Sequence, residues 1–149
     1  MRFVKIALSA LALLPLASYA ALGGAPDGGS SSRPLLQSAA PNPSSATAAY
    51  TVRVSRDANG VTVREYVLPT NVVFAVTWDG PLRPDMSKLL GSYFPNAVAA
   101  SAGRARGTGP LIERNGDFQI ESAGAPGHAS GKAFLPRLVP VNVHVEDLQ

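Results

Sequence analysis

The chain contains no cysteine among its 149 residues. A disulfide framework and a thiolate metal site are therefore excluded. The same absence excludes a lipid-modified cysteine after the first apolar run. Stability has to come from a packed core, for which the 46% of hydrophobic residues supply the material.

Known catalytic and cofactor motifs are also missing. The chain has no H-E-x-x-H, no G-x-S-x-G and no P-loop sequence. Its two histidines, His128 and His144, lie in no known motif. Asp79 and Asp85 flank a turn, but too few oxygen donors cluster there for a calcium loop. We predict no cofactor, no metal site and no catalytic residue set, which favours a protein that is not an enzyme without deciding the question.

The first 20 residues resemble a secretory signal peptide. Basic residues precede an apolar run over residues 6–16, and small side chains at Ser18 and Ala20 stand before a cleavage point. A membrane anchor is the alternative, but a spanning helix needs about 20 apolar residues, and this shorter run contains Pro15. We predict removal of residues 1–20, a periplasmic or secreted location, and no transmembrane segment after cleavage.

Little net charge remains after that cleavage. Two of the 13 lysines and arginines lie in the signal peptide, so 11 basic side chains face 10 acidic ones. The sequence shows neither a basic stripe nor a platform of aromatic and basic residues. We predict no nucleic-acid partner, and an unknown envelope protein or a small ligand instead.

Residues 21–48 predict a flexible linker, because 14 of these 28 residues are Gly, Pro or Ser. Such a segment cannot bury enough apolar surface to offset its ordering entropy. Docking of Leu35 and Leu36 on the domain is the alternative. Composition changes at Tyr50, and residues 49–149 are enough for a single compact domain.

Alternating apolar and polar residues predict strands at 50–56, 61–68, 72–78, 111–114 and 117–122, with a possible sixth at 132–135. Asp85 stands where a helix cap belongs, and apolar residues follow at helical spacing up to Phe94. Pro95 is expected to end or kink the helix, because it pushes Phe94 out of the helical region. The predicted class is α+β: an antiparallel β-sheet of five or six strands in the order β-β-β-α-β-β, with one kinked helix or helix pair on one face.

Two Asn-Gly dipeptides predict hairpins. The two-residue turn at 115–116 sets Arg114 opposite Asp117. The turn at 59–60 sets Arg53 beside Tyr66 and gathers most valines of both strands on one face, whereas a four-residue loop would pair two arginines.

The connection at residues 69–71 decides which face of the sheet is apolar. A four-residue loop through Val72 turns Phe74, Val76 and Trp78 to one side. A three-residue loop with Asn71 in the left-handed region turns them to the Tyr66 side and leaves both faces apolar. Because one helix pair is available to cover the sheet, we expect the four-residue loop.

Aromatic and loop residues form the candidate partner or ligand surface. Its members are Tyr66, Trp78, Asp79, Pro81, Arg83 and Tyr93. Core packing is the alternative for the aromatics.

Two further polar residues are weaker candidates. Glu65 interrupts a valine-rich strand face, where a carboxylate has to be ion-paired, protonated or part of a functional site. The structural alternative is an ion pair with a nearby arginine or a place at the sheet rim. His128 lies among Gly and Ala, which predicts a solvated loop residue.

The sequence resembles a family of exported bacterial proteins catalogued as domain of unknown function 2844. The resemblance is carried by the stretches "ALGGAP", "YTVR", "GVTVREYVLPTNVVFAVTWDGPLRPDMSKLLGSYF" and "GKAFLPRLVP". The family leads us to expect Gly near Asn71, so Asn71 departs from it while remaining compatible with a left-handed turn. The resemblance implies an exported, cysteine-poor domain and supplies no activity or catalytic residues.

Three hypotheses follow from these observations. The first is a non-catalytic envelope module that binds a partner or small ligand through a sheet edge or the loop after Trp78. The second is a small periplasmic hydrolase that uses Glu65 or Asp79 with His128. The third is an inhibitor-like or structural module that inserts a hairpin into a partner.

Overall fold

The computed structural model describes residues 21–26, 49–103 and 110–149. Six strands form one antiparallel sheet: β1 Thr51–Arg56, β2 Thr62–Val67, β3 Val73–Gly80, β4 Leu111–Arg114, β5 Gln119–Ala125 and β6 His128–Phe134. Their spatial order is β1-β2-β3-β6-β5-β4. Between β3 and β4 the chain forms helix α1 Met86–Leu90, a 3-10 turn over Gly91–Tyr93, and helix α2 Phe94–Ala102. The predicted α+β class and element order are confirmed.

Helix α1 begins where the sequence predicts, but the helix pair bends at a different residue. Asp85 Oδ1 accepts hydrogen bonds from the backbone N–H groups of Ser87 and Lys88 at 3.1 and 3.4 Å, which caps α1. Phe94 keeps helical angles, so Pro95 lies in the first turn of α2, where proline is tolerated. The bend is at Gly91, whose φ of 52° and ψ of −123° only glycine adopts readily.

The first hairpin has neither of the two loops considered from the sequence. Arg53 pairs with Glu65, so the loop has three residues and both predicted registers are wrong. The Asp57 carboxylate accepts from the backbone N–H groups of Asn59 and Val61 at 2.8 and 2.9 Å, and Gly60 takes a φ of 83°. This one-residue shift moves Val52 to the opposite face of the sheet.

A β-bulge in β3 explains why both expectations for residues 69–71 were partly correct. The loop is the three-residue one, with Asn71 at a φ of 62°. Tyr66 pairs with Ala75 and Val67 with Val73, so Phe74 is the extra residue. Because of the bulge, Val76 and Trp78 lie on the same face as Val67, as the four-residue loop predicted. Phe74 lies on the Tyr66 face, as the three-residue loop predicted.

The turn of the Asn115 hairpin lies one residue later than predicted. Arg114 pairs with Gln119 rather than with Asp117, and the Asn115 N–H donates to Phe118 O at 3.1 Å, so the turn residues are Gly116 and Asp117. Asn115 Oδ1 accepts from the backbone N–H groups of Asp117 at 3.0 Å and Phe118 at 2.7 Å. This side-chain turn replaces the expected positive-φ turn, and the two-residue shift leaves the strand side chains on their predicted faces.

Most of β6 was missed. Ala125 pairs with His128 across a turn at Pro126 and Gly127, and Gly127 has a φ of 76°. Proline followed by a positive-φ glycine is the usual composition of a type II turn. His128 is therefore the first residue of a strand and not a loop residue.

The sheet is covered on both faces. On the helix face, α1 and α2 pack over a core that includes Val76, Trp78 and Ile120. On the tail face, the C-terminal residues 136–149 cover Tyr66, Phe74 and Phe134. This segment contains only two short 3-10 turns, Pro136–Leu138 and Val145–Asp147, yet its Leu148 is buried. The expectation that only one face of the sheet is apolar is therefore wrong. The sequence did not reveal the second cover, because the C-terminal segment has no periodic pattern of apolar residues.

Residues 21–26 belong to the packed structure and not to a free linker. Leu22 is buried in the helix-face core, and its N–H donates to Leu89 O at 3.1 Å. Gly23 and Gly24 exchange hydrogen bonds of 2.8 and 2.9 Å with the backbone of Val73. The rest of the predicted linker, and the predicted signal peptide, lie outside the described residues.

No helix within the described part of the chain is long and apolar enough to cross a membrane.

Candidate functional site

The part of the tail face that the C-terminal segment does not cover is concave, and we call it the open groove. It encloses about 550 Å³. Two rows of side chains cross the strands there, Arg64, Thr77, Lys132, Glu121 and Ile112 in the first, and Asp79, Ser130 and Ala123 in the second. Leu148 and Gln149 complete the lining from the C-terminal segment.

Two cations flank a hydroxyl at the centre of the first row. Arg64 and Lys132 are the direct neighbours of Thr77 on the two adjoining strands. Strands lie about 4.8 Å apart, so the backbones of the two cations are about 10 Å apart. Such a pair can hold a carboxylate or phosphate between its side chains.

Lys132 and Arg64 differ in the hydrogen-bond and ion-pair partners that they already have. Lys132 Nζ donates to Val145 O at 3.3 Å and lies 3.9 Å from Glu121 Oε2. Glu121 also binds Arg114 at 2.6 Å. Arg64 makes no ion pair with any carboxylate of the described residues, so its charge is available to a ligand.

Tyr66 attaches the C-terminal segment to the sheet beside the groove. Its hydroxyl donates to Gln149 O at 2.9 Å, and its ring packs edge-on against Tyr50 and Phe74 at centroid distances of 5.7 and 6.2 Å. Burial raises the pKa of Tyr66, which keeps the hydroxyl protonated as a donor. The residue is a structural part of the tail face and not an exposed contact.

Trp78 is a core residue of the helix face, with 1% of its surface exposed. Its indole ring lies directly on Gly131 of the neighbouring strand, where any Cβ would overlap the ring. Tyr93 stacks on Phe118 with ring centroids 5.5 Å apart, also on the helix side. The structure therefore does not bring Tyr66, Trp78 and Tyr93 together on one surface.

Asp79 and His128 are the candidate polar residues that the structure does bring together. Asp79 Oδ2 lies 3.5 Å from His128 Nε2, and about 60% of each side chain is exposed. No hydroxyl within the described residues donates to His128. Glu65 is buried on the helix face opposite Arg53, so it lies on the other side of the sheet from His128.

Pro81 and Arg83 lie in the exposed loop after β3. Arg83 lines a smaller cavity under α2 and not the open groove.

Several groove residues were missed from the sequence, namely Arg64, Thr77, Lys132, Glu121 and Ser130. They come together only through the pairing of β3 with β6, which the sequence does not specify. The Pro126-Gly127 dipeptide was the one local signal, because it would have extended β6 back to His128.

The comparison with protein families finds a match over most of the chain. A family described as "Protein of unknown function (DUF2844)" matches residues 18–148. No curated protein and no solved structure matches the chain at a significant level.

Proposed function

The chain belongs to the DUF2844 family of proteins of unknown function, and we propose that it is an exported, non-catalytic binding module of the cell envelope. Export is supported by the signal-peptide pattern of residues 1–20. Its ligand occupies the open groove.

One observation carries the binding proposal: Arg64, which has no carboxylate partner among the described residues, lies beside Thr77 in a concave site of about 550 Å³. Ligand sites are concave and combine apolar walls with a few placed polar groups. Here Ile112 and Leu148 supply apolar wall, and Arg64 supplies the positive charge, since the charge of Lys132 faces Glu121. The ligand class that fits is a small organic anion with an apolar group next to its carboxylate.

A hydrolase is the second candidate because Asp79 and His128 lie 3.5 Å apart. Catalytic pairs are usually shielded from water and orient a nucleophile or a water molecule. This pair is well exposed and is joined by no hydroxyl of the described residues. A hydrolase would lose activity on generic ester substrates in Asp79→Asn and His128→Gln, whereas a binding module shows no such activity to lose.

Export is tested by producing the full chain in a bacterial host. The proposal predicts a periplasmic or secreted product whose mass corresponds to a chain beginning at Ala21. A full-length cytoplasmic or membrane-bound product would contradict it.

Binding is tested with a matched pair of probes that differ in charge. N-acetyl-L-leucine should shift the backbone amide NMR signals of Thr77, Ser130 and Lys132 saturably, and its uncharged amide should bind at least about tenfold more weakly. Arg64→Gln should abolish this preference, while Arg56→Gln, the same change on an exposed edge residue, should preserve it. Equal binding of both probes would refute the anion site.

A further inference from the structure

A second cavity lies on the helix face, between α2 and the sheet, and we call it the α2 cavity. It encloses about 150 Å³. Its walls are mostly apolar and include Met86, Phe94, Leu111 and Ile120. The α2 cavity and the open groove lie on opposite faces of the sheet, and the linings of the two share only Ser122, so the two are distinct sites.

The floor of the α2 cavity carries a buried hydroxyl. Ser122 is 4% exposed, and its Oγ has no hydrogen-bond partner among the described residues. A buried polar group without a partner is costly, and it is rare in native proteins. A ligand atom that exchanges a hydrogen bond with this hydroxyl would remove that cost.

The mouth of the cavity carries a positive charge. Arg83 is exposed, lines the cavity and makes no ion pair with any described carboxylate. The nearest acidic residues in sequence are already engaged, Asp85 with Ser87 and Lys88, and Asp79 with His128. Val98, 46% exposed, adds apolar surface at the same opening.

The volume of the α2 cavity and its apolar walls indicate which chemical group would fill it. An apolar cavity of about 150 Å³ accommodates a benzene ring. Aromatic rings pair favourably with the ring of Phe94, and the thioether of Met86 makes favourable contacts with aromatic edges. An aromatic ring therefore fits this cavity better than a flexible chain.

We propose that the α2 cavity binds a small aromatic carboxylate that has a polar substituent on the far side of its ring. The carboxylate pairs with Arg83 at the mouth, the ring lies against Phe94 and Met86, and the substituent hydrogen-bonds with Ser122 at the floor. This site does not rest on the open groove, and either can fail without the other.

The probe is 4-hydroxybenzoate, titrated into the purified protein and followed by backbone amide NMR. It should shift the signals of Ile120, Ser122 and Ala97 saturably. Benzoate, which lacks the hydroxyl, should bind roughly three- to tenfold more weakly. The uncharged 4-hydroxybenzyl alcohol should lose roughly tenfold or more, because it cannot pair with Arg83.

Three variants separate the contacts. Arg83→Gln should weaken 4-hydroxybenzoate about tenfold or more and leave 4-hydroxybenzyl alcohol unchanged, while Arg56→Gln changes neither. Ser122→Ala should fold normally, since the hydroxyl has no partner, and should bind benzoate and 4-hydroxybenzoate equally.

No saturable shift at Ile120 and Ser122 would overturn the proposal, as would shifts confined to Thr77 and Ser130 of the open groove. Unchanged 4-hydroxybenzoate affinity in Arg83→Gln would overturn it as well.

Discussion

The helix face and the tail face of this sheet are covered by different kinds of structure. The helix face is closed by two helices, by Leu22, and by the close contact of Trp78 with Gly131. The tail face is closed over part of its area by an irregular segment that is held by Tyr66 and Lys132. We infer that the helix face carries most of the stability and that the tail face leaves room for a ligand.

The largest expected effect is on the helix face. Trp78→Ala should lower the free energy of unfolding by about 3 to 5 kcal/mol, because it empties the volume of the largest core side chain. Chemical denaturation measures this loss. A loss below about 1 kcal/mol would mean that Trp78 is exposed in solution and that the comparison between the faces is wrong.

Leu22 tests whether residues 21–26 belong to the helix-face core. Leu22→Ala should cost about 2 to 5 kcal/mol by the same measurement, because the side chain is fully buried. Leu82→Ala is the matched control, since Leu82 is 57% exposed, and it should change stability by no more than about 0.5 kcal/mol. Equal losses of stability in the two variants would mean that residues 21–26 are part of the linker and not of the core.

Gly131 tests the contact that sets the position of Trp78. Gly131→Ala should destabilise by about 1 to 3 kcal/mol, because its Cβ would overlap the indole ring and the Glu121 carbonyl. Gly124→Ala on the neighbouring strand meets no atom within 4 Å and should stay within about 0.5 kcal/mol of the parent. A neutral Gly131→Ala would show that the ring does not lie on this strand.

The smallest effect belongs to the tail face and depends on pH. Unfolded tyrosine ionises near pH 10, and burial raises the pKa of Tyr66 in the folded chain. The folded state then keeps a proton that the unfolded state loses, so stability is intact below about pH 10 and falls as pH rises toward the folded pKa. Tyr66→Phe should cost about 0.5 to 1.5 kcal/mol at neutral pH and flatten this fall. An unchanged profile would contradict the role given to the hydroxyl.

Local sequence signals predicted the elements and the two Asn-Gly hairpins, but not the registers of those hairpins or the pairing of β3 with β6. Asp85 and the apolar spacing after it identified α1, and alternation identified most strands, because both patterns depend on neighbours in the chain. The register of β1 depended on the Asp57 side chain, which closes a loop length that Asn59-Gly60 alone does not specify. The bulge at Phe74 likewise has no local signature.

The open groove was less predictable than the fold. Its cations, Arg64 and Lys132, are 68 positions apart in the sequence and meet only because β2 and β6 both border β3. The small residues of β6 look like a loop, yet Gly131 is small because Trp78 lies on it. Asp79 and His128 were named as candidates, but their pairing also required the full length of β6.

Amide hydrogen exchange on the purified protein tests the difference between the faces most directly. The N–H groups of Val76 and Ala133, in the centre of the sheet, should exchange only through global unfolding. Those of Val143 and Leu148 should exchange far faster, through release of the C-terminal segment while the helix face stays folded. Equal protection of all four would contradict the account, because the tail cover would then be as much a part of the stable core as the helices.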